Sequence, residues 1–250
     1  MIKVRKVWNK IKRREMPKGR RCVKSKWVFD IKRNGLFKVR LVACGYSQIP
    51  GVDFTELFAP VINDVSWRIL LIIKMLMKYE AKIVDVETAF LFGDLEEEVY
   101  MTCKEVHDDD EVLLLIHSIY GLVQSARQYY IKFKQKLNKI GFIGGYPDPC
   151  LMMRKTENGT IFIAVWVDDS LLVGDNKAID KAIQDLKDEG FVLKEDGSLD
   201  DYLSCEITMN EEKTVGWIHQ PHLLTKMEKR FKDLIKGLQA YKHQVHQEEQ

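Results

Sequence analysis

Short apolar runs bounded by turn residues alternate along this chain with longer stretches of helical spacing. The clearest run reads IFIAVWVDDSLLVG, residues 161–174. Its two apolar segments, 161–167 and 170–174, flank Asp168 and Asp169. That pattern predicts two buried strands joined by a tight turn that carries both acids. Upstream, WVFDI (27–31) and FKVRLV (37–42) surround Arg33-Asn34-Gly35, and Asn-Gly between two such runs predicts a hairpin. Residues 66–79 predict a buried helix, apolar nearly all round and capped by Asp64 or Ser66.

The segment KIVDV (82–86) predicts a strand that ends in Asp85 and runs through Ala89 and Phe90 into a turn at 92–94. From Gln124 onward, Tyr130, Phe133, Leu137 and Ile140 keep helical spacing until Gly141 stops it. Asn176 can cap a further helix that carries Ile179, Ala182, Ile183 and Leu186 on one face and ends at Gly190, ahead of a strand at 191–193. Residues 202–209 and 215–220 predict a second hairpin. A last amphipathic helix uses Leu223, Leu224, Met227, Phe231, Leu234 and Leu238. The first 25 residues, broken by Pro17 and Gly19, predict a polar arm, and the end from Gln239 is polar with no clear structure.

Over 82–193 the order is strand, helix, strand, strand, helix, strand, which is the split βαβ or ferredoxin-like unit of an α+β fold. In that topology the first and third strands are neighbours. Asp85, Asp168 and Asp169 then converge on one edge of one sheet. Three close carboxylates raise one another's pKa values unless a cation neutralises them. Hard oxygen ligands suit Mg²⁺, and two such ions about 3.5–4 Å apart form a clamp for nucleotidyl transfer. An Asp pair at a turn is also what an ordinary solvated turn contains, and a Mg²⁺-dependent cyclase or phosphatase would use similar parts.

Composition changes the picture in three places. With 250 residues, 46% hydrophobic and 30% charged, the chain reads as globular, and its longest apolar block (69–77) is too short to span a bilayer. No charged leader with an apolar core opens it. Five scattered cysteines with no C-x-x-C pair argue against a zinc site or disulfide framework and fit a reducing, intracellular compartment. The net charge of +2 hides an asymmetry: residues 1–40 hold sixteen Lys and Arg against Glu15 and Asp30, whereas residues 84–111 hold eleven acids against Lys104. This suggests a phosphate-rich partner on one side and a cation site on the other, although a basic tail that binds nothing has the same composition. Lys32, Arg33, Lys38 and Arg40 around the first hairpin suit a triphosphate or nucleic-acid backbone, and equally the edge-strand lysines that block aggregation.

The ordered segments KWVFDIKRNG, KVRLVACGYSQIPGVDFTELFAPV, DVETAFLFGDLEEEVYM, SIYGLVQSARQYYIKF, DPCLM, WVDDSLLVG and DYLSCEI with QPHLL resemble the reverse transcriptase domain of copia-type long-terminal-repeat retrotransposons. The resemblance runs from Lys26 to about Phe231. It implies a right-hand polymerase fold: a basic arm (1–25), fingers (26–80), a palm (81–194), a palm edge with partial thumb (195–238) and a polar tail (239–250). It implies RNA-directed DNA synthesis by two-metal transfer, with Mg²⁺ (or Mn²⁺) on Asp85, Asp168 and Asp169 and the Val86 carbonyl assisting. Phe90 would be the steric gate under the sugar, and Gln124 would position nucleotide and template. Arg33 and Arg40 would meet the triphosphate. Trp166, Tyr202 and Leu203 would lie at the primer.

The implied partners are an RNA or DNA template with primer, deoxynucleoside triphosphates, and the integrase and RNase H regions of a polyprotein, with no membrane. The implied location is a cytoplasmic virus-like particle, the nucleus, or both. Departures from the family pattern are Trp166 for the usual tyrosine, Val123, Ser125 and Ala126 around the glutamine, Cys44 for a common arginine, and an altered stretch at 103–110. These leave room for two other readings. One is an inactive remnant that folds and binds nucleic acid. The other is a non-polymerase phosphotransfer enzyme on the same palm.

Overall fold

A computed structural model describes residues 6–31, 35–145, 147–195, 202–203, 205–212 and 214–235. The chain divides into two compact units, residues 1–197 and 198–250. The first unit opens with strands β1 (Trp8–Lys12), β2 (Cys22–Ile31) and β3 (Phe37–Ala43), followed by helix α1 (Asp64–Met77). Then come β4 (Glu80–Val86), β5 (Asp94–Thr102), β6 (Glu111–His117) and helix α2 (Ser125–Lys139). It closes with β7 (Ile143–Gly144), β8 (Leu151–Thr156), β9 (Gly159–Trp166), β10 (Asp169–Gly174), helix α3 (Asn176–Asp188) and β11 (Leu193–Glu195).

These strands form two sheets. The first has the order β1-β6-β5-β2-β3 and closes over a core that includes Val7, Val23, Leu41, Met101, Leu113 and Leu115. The second has the order β11-β4-β10-β9-β8-β7. Its four strands β11-β4-β10-β9, numbered in chain order as 4-1-3-2, are the split βαβ arrangement, with β4 beside β10. The fold is α+β. Residues Ser170 to Gly174 of β10 are all buried, as an apolar run covered on both faces should be. Helices α1 and α3 pack against this strand. Helix α3 does so through Ala178, Ile179, Ala182, Ile183 and Leu186, the face its periodicity predicted.

Four expectations need correction. The stretch before residue 26 is not an arm, because β1 pairs with β6 and Cys22–Lys24 pair in parallel with Tyr100–Thr102. Residues 94–117, expected within the palm, supply two strands of the first sheet. Helix α1 starts two residues earlier than predicted and is capped by Asn63, whose side chain accepts from the Val65 N–H. It buries only Trp67, Leu70, Leu71 and Lys74, while Val65, Ile69, Ile72 and Leu76 are exposed. Lastly, some of the segregated charge meets within the fold. Lys12 binds Asp110 at 2.9 Å and Glu111 at 3.6 Å, and Lys10 approaches Glu111 at 3.8 Å. The basic and acidic stretches are therefore in part each other's partners.

The second unit holds a hairpin, β12 (Glu206–Met209) with β13 (Gly216–His219), and helix α4 (Pro221–Ile235). Both were predicted. Leu238 and the tail from Gln239 lie outside the described residues. No helix among the described residues is long and apolar enough to cross a membrane.

Candidate active site

The β9–β10 hairpin pairs Asp169 with Trp166 and so leaves a loop of only two residues, Val167 and Asp168. Two-residue hairpin loops require a positive φ, and Val167 supplies it at 51°. A β-branched residue is poorly suited to that region, at a cost of about 1–3 kcal/mol. The turn is held on its other side by the Val86 N–H, which donates to the Asp168 carbonyl at 3.0 Å. Asp168 is thus fixed both by its own hairpin and by the end of β4.

Across the β4–β10 ladder Asp169 stands opposite Asp85, and on the other side of β4 Lys194 of β11 also stands opposite Asp85. Directly opposed residues of antiparallel strands share a face. Lys194 was not singled out from sequence, because the predicted strand ended at residue 193 and nothing local announced its neighbour on β4.

Asp85, Asp168 and Lys194 line one cleft of about 760 Å³. Val86 and Thr88 continue that wall, and Lys38, Arg40, Trp27 and Phe37 of the β2–β3 hairpin form another. The donor chemistry, carboxylate oxygens on a cleft wall, fits a hard divalent cation. The convergence is looser than expected. Among the described residues no three His, Cys, Asp or Glu side chains are grouped so as to hold a metal ion. Asp85 and Asp168 share the cleft, while Asp169 enters through its register with Asp85.

Behind the acids lies a row of aromatic rings. Tyr120 lines the cleft, with the Arg40 guanidinium 5.8 Å from its ring centroid. Phe90, in the short 3-10 helix Ala89–Phe92, meets Tyr120 edge-on at 5.0 Å and Tyr129 at 6.4 Å. Tyr129 stacks on Phe133 at 5.5 Å. Burial first, then the negative charge of Asp168 and Asp85, raises the pKa of the Tyr120 phenol, with Arg40 opposing. Burial and then Asp168, Asp85 and Asp169 push Tyr129 up as well. The Tyr129 hydroxyl is buried and has no hydrogen-bond partner among the described residues.

Gln124 is wholly buried. Its Oε1 accepts from Gln48 at 3.0 Å, and its Nε2 donates to the Asp53 carbonyl at 2.9 Å. It therefore locks the 44–54 segment to the start of α2. Trp166 closes β9 and is 37% exposed. Arg33 lies outside the described residues. Tyr202 and Leu203 belong to the second unit, where Tyr202 is buried and bridges to Cys205, and Leu203 has a φ of 55°.

The reverse transcriptase (RNA-dependent DNA polymerase) family matches residues 5–233, and the chain belongs to it. The "Retrovirus-related Pol polyprotein from transposon TNT 1-94" of Nicotiana tabacum is 35% identical over 227 residues, which is 87% of this chain and 17% of that protein. The corresponding polyprotein from transposon RE2 of Arabidopsis thaliana is 35% identical over 190 residues, 72% of this chain and 13% of that protein. These relatives bear out the resemblance to a copia-type reverse transcriptase domain. The chain spans less than a fifth of the length of either relative. Among solved structures, a foamy viral protease–reverse transcriptase in complex with double-stranded DNA is similar with a TM-score of 0.42 and 15% identity, over 96% of this chain and 35% of that one.

Proposed function

We propose that this domain catalyses RNA-directed DNA synthesis, extending a primer on an RNA or DNA template with deoxynucleoside triphosphates. The observation that carries the reading is that Asp85 and Asp168, on separate strands, line one cleft faced by Arg40. In the reaction the primer 3′ oxygen attacks the α-phosphorus, the α–β phosphoanhydride bond breaks, pyrophosphate leaves and the hydroxyl proton passes to solvent. Asp85 and Asp168, with Asp169 and the Val86 carbonyl, would hold Mg²⁺ or Mn²⁺. When bound, such ions sharpen the attacking oxygen and neutralise the leaving phosphates.

The chain's own residues orient the reactants. Arg40, with Arg33, meets the triphosphate, and a guanidinium suits phosphate oxygens in paired contacts. Phe90 and its aromatic neighbours bear on the sugar side. Gln124 acts from behind by fixing the 44–54 segment, and Trp166 stands where the primer end would lie. Tyr202 and Leu203 are assigned to the primer on the family likeness alone. We place the domain inside the cell, in a virus-like particle, the nucleus or both, alongside the integrase and RNase H regions of a polyprotein.

The test is primer extension on poly(rA)–oligo(dT) with dTTP and Mg²⁺, beside Asp168→Asn. Extension by the wild type and loss of at least about a thousandfold in the variant, both proteins having equal circular dichroism, supports the reading. The departures from the family pattern at Trp166, Val123, Ser125 and Ala126 favour a second reading, a folded remnant that only binds nucleic acid. It predicts salt-sensitive binding with no extension by folded wild-type protein.

A further inference from the structure

We propose that the loop of residues 103–110 is a proton-operated latch on the cleft wall, held closed by neutral His107 and released when that ring takes up a proton. This is the stretch, CKEVHDDD, that departs from the family pattern. It joins β5 to β6. Val106 lines the cleft with Trp27 and Phe37 and packs against the core of the first sheet. Two backbone bonds fold the loop onto its own start. The Val106 N–H donates to the Cys103 carbonyl at 2.9 Å, and the His107 N–H donates to the same oxygen at 3.3 Å. A third bond closes the loop through the imidazole: the Cys103 N–H donates to His107 Nε2 at 2.8 Å.

A backbone N–H can only donate, so Nε2 is bare and the ring's proton sits on Nδ1. Nδ1 is placed to donate it, with the Asp108 carbonyl 2.8 Å away. Both ring nitrogens are thus used, in the neutral form and in one tautomer. A proton on Nε2 sets donor against donor and strips the Cys103 N–H of its acceptor. The closed loop therefore binds one proton fewer than the open one. Closure is favoured as pH rises and is lost as pH falls through the histidine range.

Charged groups surround the ring from each neighbouring element. The loop itself carries Lys104, Glu105, Asp108, Asp109 and Asp110. From β6, the Glu111 carboxylate accepts the Asp108 N–H at 3.4 Å. Lys12 of β1 holds Asp110 and Glu111, Lys10 approaches Glu111, and Arg14 acts on Asp110. On β2, Ser25 donates to the Thr102 carbonyl and Trp27 to Glu105, so Lys24 and Lys26 alternate to the other face. Lys12 holds the Asp110 carboxyl below its ordinary value, and backbone, Cys103 and Trp27 bonds do the same for Glu105. Burial raises the Cys103 thiol. Between about pH 8 and about pH 5.5 these three keep their charge, and the imidazole is the group that changes. The acids of the loop favour the charged ring once it has left Cys103.

The experiment is nuclear magnetic resonance on the ¹⁵N-labelled full chain at those two pH values. At the higher one, the ring nitrogens of His107 should show a protonated Nδ1 and a bare Nε2. Amide protection at Cys103 and Val106, corrected for the intrinsic pH dependence of exchange, should fall about tenfold at the lower one. Met101 and Leu113, paired in the β5–β6 ladder, should keep theirs and show that the sheet stays folded. His107→Gln offers an amide oxygen where Nε2 stood and cannot titrate, so its protection should stay high at both pH values. His107→Ala should show the lower protection at both. An Nε2-protonated tautomer at the higher pH, or wild-type protection that does not change with pH, overturns the inference. So does a fall in His107→Gln equal to that of the wild type, since the pH dependence then lies elsewhere.

Discussion

The β4–β10 ladder and the tip of the β2–β3 hairpin are both made of apolar strand residues, yet one is sealed and the other open. In the ladder, Val84, Leu171, Leu172 and Val173 have no exposed surface. At the tip, Phe29 opposite Val39 and Ile31 opposite Phe37 form an apolar face, with Phe29 74% and Phe37 83% exposed. The same face of the hairpin is buried closer to the sheet, at Leu41. Helices close over the ladder, whereas the hairpin extends past its own core. The acids therefore stand on a support whose packing leaves little freedom. The tip displays apolar side chains that nothing among the described residues covers.

The largest effect on stability should come from Arg154, which stands on β8 of the sealed sheet. It is 6% exposed and donates to Asp185 of α3 at 2.7 Å and to the Ile140 carbonyl at 2.9 Å. Arg154→Ala leaves the carboxylate without this partner and should cost about 3–5 kcal/mol by urea denaturation. Burial alone would raise the Asp185 pKa, but the hydrogen bonds from Lys181 and Arg154 outweigh it and hold the carboxyl below its ordinary value. That stability is present above the ordinary carboxylate range and is lost as pH falls through the lowered folded value. The stability loss below about pH 4 should accordingly be shallower in Arg154→Ala.

A paired substitution sharpens the contrast next. Leu171→Ala should cost about 2–5 kcal/mol, while Phe37→Ala should stay within about 0.5 kcal/mol. Equal costs in the same urea titration would show that the tip is packed after all. The smallest effect is the most local. Val167→Gly removes the side chain that resists the turn's φ of 51°. It should leave stability unchanged or raise it by up to about 1 kcal/mol. Primer extension should nevertheless fall, because the turn no longer pins Asp168. A large stability loss would mean that Val167 is held by packing and not strained by its backbone.

Much of the palm was legible because its signals are local. The apolar runs around Asp168 and Asp169, the helical spacing of α2 and α3, and the order of strands and helices led to β4 beside β10 before any coordinates. The rest was decided by partners far away in the chain. LEEEVYM (95–101) has a run of acids that breaks strand alternation, so β5 was missed, and it forms because β2 and β6 lie on either side of it. The predicted basic arm became β1 for the same reason, with residues about a hundred positions away as its partners. Gln124 was expected to help position nucleotide and template, and only the folded chain shows its amide bound to Gln48 and the Asp53 carbonyl. The exposed stripe of α1 was misjudged because apolar spacing reports a tendency to be covered, not what covers it.

The sequence by itself determined the strand–helix order of the split βαβ core, the tight acidic turn and the family, because hydrophobic period, turn chemistry and ordered motifs are written in neighbouring residues. Only the tertiary structure decided that Lys194 flanks Asp85, that Tyr120 lines the cleft beside Arg40, and that some of the segregated charge meets itself. Those outcomes depend on strand register and on the packing of one sheet beside another, and register is a property of pairs of strands that no single stretch contains.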